Sequence, residues 1–440
     1  MTSSYTSRSI NATRAGLQVS RRGQNVIASP IRKFLPLMQA AEDQGVKVFK
    51  INVGDPDLSP DPRFLAAIKK YHEPTIGYAP SPGIVPHMEA WQKYYRQFGV
   101  EIPLANMLPT VGCSEAIMLA MLAVADPGDE VVVFEPLYTN YKSFSVMAGI
   151  RLSPVLLPIE KNFALPAGSE IERKITKKAK AIVVINPDNP TGKLWSKKEL
   201  DTIVGIAKKH NLFIISDETY REIRFDGKKP ICLFTRTGAR QNVIVCDSVS
   251  KRFSMPGARI GCISSFNNKV MATILKFAQS RLSAGTLEQV GLIPLLSNSK
   301  PYVGKTVKEY QKRQKVVAKG LDRITGAVFT PSMGAFYQTV ELPIDDCEEF
   351  VKFMIGEFRY QNTTVMVTPM KDFYITRGKG TKQIRIAYVL NTEALAEAME
   401  VLRRGVWAYN SKNHQNRAER FAWNDADVKI VDVVEKLRGF

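Results

Sequence analysis

From about Thr110 the chain alternates short apolar runs with helical patterns, and this alternation restricts the fold more than any other feature. The runs occupy 131–134, 181–185, 212–215, 243–245 and 260–264. Helical patterns lie before and between them, around 114–125, 139–148, 196–210 and 268–283. Short, β-branched, fully apolar strands separated by helices predict an α/β fold with a mostly parallel sheet covered by helices on both faces. A ligand of such a sheet binds beyond the carboxyl ends of its strands. Polar residues gather at those ends. Asn186-Pro-Asp-Asn-Pro-Thr-Gly192 follows one run and Ser216-Asp-Glu-Thr-Tyr220 another. A third is followed by Cys246-Asp-Ser-Val-Ser-Lys251, and the strand-like approach to Val111 leads into Gly112-Cys-Ser114.

Within 248–261 (SVSKRFSMPGARIG), Lys251 stands between hydroxyl residues, with Arg259 close behind. A lysine amine forms a Schiff base with a carbonyl, and it is a good nucleophile when burial or neighbouring charge lowers its pKa. Serines with an arginine suit a phosphate, which takes several donors and a fixed cationic fork. A Schiff-base lysine beside a phosphate site points to pyridoxal phosphate (PLP). The competing reading of this stretch alone is a surface loop with a solvated lysine.

Composition narrows the classes. Hydrophobic content of 45% and charged content of 23% describe a globular chain. The longest strongly apolar stretch, 117–125, is too short to span a bilayer, so no membrane partner is expected. The first residues lack a continuous apolar segment, so no secretory signal is expected. Five cysteines without CxxC spacing indicate neither a disulfide framework nor a zinc site, and a reducing, cytoplasmic location is expected. Four scattered histidines predict no metal site. The formal charge of +19 reads as a solvated basic face that attracts anionic ligands rather than as a nucleic-acid site, because no recognition motif accompanies it.

Residues 1–20 are rich in Ser, Thr and Arg and are expected to form a disordered extension; an organellar transit peptide is the alternative. A helix is expected before Ala41, with Pro30 near its start, and a strand over 46–53. A helix is expected over 86–98, and residues 284–325 read as helical and basic. Strands are expected over 334–340 and 383–389, and helices over 348–358 and 393–407. The predicted division is a large domain over 55–325 and a smaller α+β domain from 21–54 and 326–408. Residues 409–440 form a C-terminal extension whose last part has amphipathic helical spacing.

Taken together, Asn189-Pro-Thr-Gly192, Asp217-x-x-Tyr220, Ser-x-Ser-Lys251 with Arg259, and Arg385, in that order, resemble the class I/II aminotransferases, which are fold type I PLP enzymes. The resemblance spans roughly Arg21 to Trp407. It implies that Lys251 holds PLP and later moves a proton, and that Asp217 keeps the pyridine nitrogen protonated. It also implies that Tyr220 and Asn189 bond the ring oxygen. The phosphate would take the main chain of Gly112, Cys113 and Ser114 with Ser248, Ser250 and Arg259. Tyr138 would stack on the ring, and Tyr78 would reach the phosphate of a neighbouring subunit, making a homodimer with composite sites. Arg385 would grip the substrate α-carboxylate, assisted by Gly54. Simpler readings stand beside these: a helix cap for Asp217, a turn residue for Asn189, a core aromatic for Tyr138, a packed loop tyrosine for Tyr78, and an edge-strand arginine for Arg385. The activity implied is transfer of an amino group from an L-amino acid to a 2-oxo acid such as 2-oxoglutarate. A β-lyase or an aminocyclopropane-carboxylate-synthase-like enzyme is the first rival, and a non-enzymatic regulator the second. Arg281 is a weak candidate for a second carboxylate.

Overall fold

The computed structural model describes residues 17–236, 238 and 240–415, of which 414 and 415 are described by backbone alone. Eight strands come first: β1 (Lys47–Lys50), β2 (Met107–Thr110), β3 (Glu130–Glu135), β4 (Arg151–Leu156), β5 (Ala179–Ile185), β6 (Phe213–Asp217), β7 (Val243–Ser248) and β8 (Gly261–Ser265). After three helices come β9 (Tyr337–Glu341), β10 (Thr363–Met366), β11 (Thr368–Pro369) and β12 (Gln383–Ala387).

Strands β2 to β8 make one seven-stranded sheet in the order β2-β8-β7-β6-β5-β3-β4. The pairs from β7 through β4 are parallel, whereas β8 is antiparallel to both β7 and β2. The mostly parallel sheet expected from the sequence is therefore present, with one reversed strand. The β7–β8 connection holds only a 3-10 turn at Pro256–Ala258, too little structure to carry the chain back along the sheet. The connection therefore stays at the carboxyl edge of β7, and Lys251 and Arg259 stay there with it.

Side chains alternate across a strand, and here successive residues enter two different cores. Val132, Val184, Ile214 and Val245 join one core with Trp91, Leu200 and Leu292 from helices Val85–Arg96, Lys197–Lys209 and Thr286–Ser297. Val133, Val183, Ile215 and Ile244 join the other with Ile117, Tyr141 and Ile274 from helices Gly112–Val124, Asn140–Ala148 and Asn268–Ser280. Every residue of β2, β7 and β8 is buried, which explains why 243–245 and 260–264 read as continuous apolar runs.

A third core draws on both ends of the described chain. Phe34, Met38 and Phe49 pack with Val351, Met354 and Leu402. β1 pairs in parallel with β10, and β11-β12-β9 form an antiparallel sheet. Helix Cys347–Gly356 is capped by Asp346, whose carboxylate accepts from the backbone of Glu348 and Glu349.

Two local expectations change. Pro30 lies in a turn, and Pro36 occupies the first turn of helix Leu35–Asp43. The helix expected to end at Trp407 runs over Thr392–Gln415. Tyr409 is buried against Phe350 and Phe353, and Asn410 donates from Nδ2 to the Pro343 carbonyl at 2.8 Å, so packing carries the helix onward. The amphipathic spacing near the C-terminus and most of the N-terminal extension lie outside the described residues. Among the described residues no helix is long and apolar enough to cross a membrane.

Candidate active site

The register of the central sheet sets the polar strand ends side by side. Ile185 pairs with Asp217, and Asp217 with Cys246. The Asn189 loop, Asp217 and the Lys251 loop therefore leave the same edge. Thr110 pairs with Gly261 at that edge, so helix Gly112–Val124 also starts there. Between this edge and the third core lies a cavity of about 400 Å³. Its walls include Gly54, Cys113, Ser114, Tyr138, Asn189, Asp217, Tyr220, Ser248, Ser250, Lys251, Arg259 and Arg385. Gly112 sits just behind, against Arg259. Tyr78 is the exception. It lies on an outer loop, 82% exposed, and does not reach the cavity of its own chain.

Lys251 Nζ donates to the Gly54 carbonyl at 2.7 Å. Burial lowers its pKa to about 8; nearby Asp55 opposes that shift, and Arg385 and Arg259 add to it. The neutral, nucleophilic amine is thus far more populated near neutral pH than in an ordinary lysine. The carboxylate of Asp217 is buried and accepts from the Thr219 backbone at 3.2 Å, Tyr141 Oη at 3.4 Å and Cys113 Sγ at 3.5 Å. Burial pushes its pKa upward against those hydrogen bonds. Asp217 starts no helix: Thr219 closes a turn onto it. The cap reading is set aside.

Gly112 opens its helix at φ +75°, and a β-carbon there would lie 2.6 Å from Arg259 Nη2. Among the described residues the Arg259 guanidinium donates only to the carbonyls of Pro256 and Val111, at 3.0 and 3.2 Å. The hydroxyls of Ser248 and Ser250 are 2.8 Å apart. Helix-start amides, two hydroxyls and an arginine with no acid partner among the described residues converge on one spot, a composition that suits a dianion.

Arg385 is 1% exposed. It donates from Nη1 to Asn189 Oδ1 and from Nη2 to the Asn52 carbonyl, both at 2.9 Å, and its Nε has no partner among the described residues. Its guanidinium lies 4.3 Å from the Tyr337 ring centre. A buried guanidinium facing neutral acceptors leaves its charge unbalanced, which favours an anionic ligand.

The sequence reading missed Tyr337, whose hydroxyl is 2.9 Å from that of Tyr220. Its signal lies in pairing alone: Thr339, two residues on, pairs with Arg385. Arg32, Ser29, Asn140 and Asp55 also line the cavity and were missed. Arg281 lies elsewhere, donating to Glu115 at 2.7 Å and to the Pro109 carbonyl at 2.6 Å.

Behind the site a buried ionic network uses the alternate residues of the same motifs. Arg221 bridges Glu218 and Asp247 at 2.5 Å each, and Arg252 contacts Asp247 and Tyr94. Asp217, Tyr220, Ser248 and Lys251 each have a neighbour anchored in it.

The sequence matches the family described as aminotransferase class I and II over residues 46–402. The chain belongs to that family. Its members use PLP, and the protein is a PLP-dependent aminotransferase. The aminotransferase is 32% identical to an LL-diaminopimelate aminotransferase of Desulforudis audaxviator, covering 87% of this chain and 97% of that one. It is 29% identical to an aspartate aminotransferase of Pyrococcus horikoshii, covering 86% and 94%. Among solved structures, a single mutant of Thermus thermophilus aspartate aminotransferase superposes with a TM-score of 0.81 at 26% identity, covering 88% of this chain and all of that one. An alanine aminotransferase of Pyrococcus furiosus gives 0.81 at 28%, covering 89% and all of that chain. The residues present fit the cofactor: a cradle that a β-carbon at 112 would obstruct, a lysine whose pKa burial lowers, and a buried carboxylate with no cationic partner among the described residues.

Proposed function

We propose that this aminotransferase moves the amino group of an L-amino acid to a 2-oxo acid, 2-oxoglutarate among them, with Lys251, Asp217 and Tyr220 as its catalytic residues. The observation that carries the reading is the convergence of Lys251, Asp217 and Arg385 on one cavity. PLP, when bound, supplies the electron sink for the pair left on Cα as its C–H bond breaks. Lys251 would hold the cofactor through its carbonyl, and its amine, when free, would take and return the Cα proton. Asp217 would keep the ring nitrogen protonated; its buried carboxylate meets no cation among the described residues. Tyr220 and Asn189 would donate to the ring oxygen, and Tyr138 would cover the ring. Gly112, Cys113, Ser114, Ser248, Ser250 and Arg259 would hold the phosphate. Arg385 orients the α-carboxylate, with Gly54 and Asn189 beside it.

The same reading makes the protein a cytoplasmic homodimer with residues 21–54 and 326–408 as a small domain and 55–325 as a large one. The Tyr78 loop supports the dimer: Thr286 donates to Gly77 and Ser81 to Leu282, so a fixed loop presents an exposed aromatic beside exposed Ile76. The test is a spectral and product screen of all amino acids. The proposal expects a 2-oxo acid product only when an acceptor is supplied, and no ammonia; ammonia release without an acceptor would favour a lyase.

A further inference from the structure

Six charged side chains line the cavity: Arg32, Asp55, Asp217, Lys251, Arg259 and Arg385. The roles proposed above use four of them, and Asp55 acts electrostatically on Lys251. Arg32 remains. Its guanidinium has no acid, carbonyl or aromatic partner among the described residues, although the adjacent Lys33 pairs with Glu348 and Asp372. A cation on the wall of a reaction cavity with nothing to neutralise it favours a ligand that brings a negative charge of its own.

The wall around Arg32 is polar and opens further. Ser29 and Asn140 border the main cavity and also a second space of about 140 Å³, which Lys142 lines. Lys142 donates to the Tyr374 carbonyl at 2.7 Å and forms no ion pair among the described residues. Arg32 in the one space and Lys142 in the other thus share Ser29 and Asn140 as wall residues. Arg385 lies buried in the wall beside Asn189, and Arg32 stands exposed on the N-terminal segment. We infer that Arg32 is a specificity-determining residue that binds the distal carboxylate of a dicarboxylic substrate, with Ser29 and Asn140 as hydrogen-bonding neighbours. This rests on the aminotransferase roles proposed above and adds the substrate class. It moves the second-carboxylate role away from Arg281, whose donors are taken by Glu115 and Pro109.

The test is the ratio of kcat/KM for acidic donors (aspartate, glutamate, 2-aminoadipate) to kcat/KM for neutral donors (alanine, leucine, phenylalanine), measured on the PLP-loaded full chain. Arg32 is exposed, so Arg32→Gln is expected to fold; its visible spectrum and molecular mass verify that. The ratio for the best acidic donor is expected to exceed one in the unaltered protein and to fall about 10- to 100-fold in Arg32→Gln. Arg32→Lys should fall less, and Arg281→Gln should leave the ratio unaltered. A ratio below one in the unaltered protein, or a change of less than about threefold in Arg32→Gln, overturns the inference while leaving transamination itself intact. Failure of every donor to transaminate would instead strike the functional reading on which it rests.

Discussion

The hydroxyl of Tyr337 stands 1.8 Å from where a β-carbon on residue 54 would be, so residue 54 must be glycine for Tyr337 to hold its place. That hydroxyl also bonds Tyr220, its ring faces Arg385, and the Gly54 carbonyl receives Lys251. Gly54→Ala should therefore displace a tyrosine at the centre of the site. We expect kcat/KM to fall by more than about tenfold, about 1.4 kcal/mol or more of transition-state binding. Steady-state kinetics on the variant checks this, and activity within threefold of the parent would contradict it.

Lys251 gives the protein without cofactor a distinctive pH dependence. Its pKa in the fold is about 8 against an ordinary 10.5, because burial disfavours the ammonium. Below pH 8 both folded and unfolded chains hold the proton, and the folded chain bears the full desolvation cost. Between 8 and 10.5 the unfolded chain binds more protons, so this contribution to stability rises with pH. The rise amounts to at most about 3 kcal/mol. Lys251→Met, without cofactor, should be more stable than the parent at pH 7, with the gap closing above pH 8. Urea unfolding of both proteins from pH 7 to 10.5 measures it.

Arg221 holds Glu218 and Asp247 together, all three buried. Removing one member of such a group leaves a buried charge uncompensated, at a cost of about 3–5 kcal/mol. Arg221→Leu should lose that much in denaturant unfolding. Arg221→Lys should lose less but should not restore both contacts, because one ammonium cannot reproduce the fork.

Arg385→Leu separates substrate from cofactor. Asn189 and the Asn52 carbonyl lose their donors, and the α-carboxylate loses its fork. Amino-acid binding should weaken about 100-fold or more while PLP affinity changes less than about threefold. Titration of the visible spectrum with amino acid, and of the protein with PLP, distinguishes the two effects. Equal losses would make Arg385 a structural residue.

Much of this site was legible in the sequence because many cavity-lining residues sit at strand ends, where a polar motif interrupts an apolar run. Asp217 and Lys251 are each read from one local stretch, and the sheet register then places them side by side. Tyr337 and Arg32 were not legible. Tyr337 lies inside a strand and reaches the site through the β9–β12 pairing, a long-range contact with no local mark. Arg32 lies in a turn before a helix, and nothing in its neighbours distinguishes it from the paired Lys33. The reversed β8 was hidden for a related reason: an apolar run reads the same in either direction.

The central claim is that Lys251 carries the cofactor. The most direct measurement is borohydride reduction of the PLP-loaded protein, followed by proteolysis and mass mapping of the pyridoxyl group. The account predicts one stoichiometric label on Lys251 and none in Lys251→Ala, which should still bind PLP without a covalent link. Labelling of a different lysine, or no label on a protein that nonetheless transaminates, would contradict it.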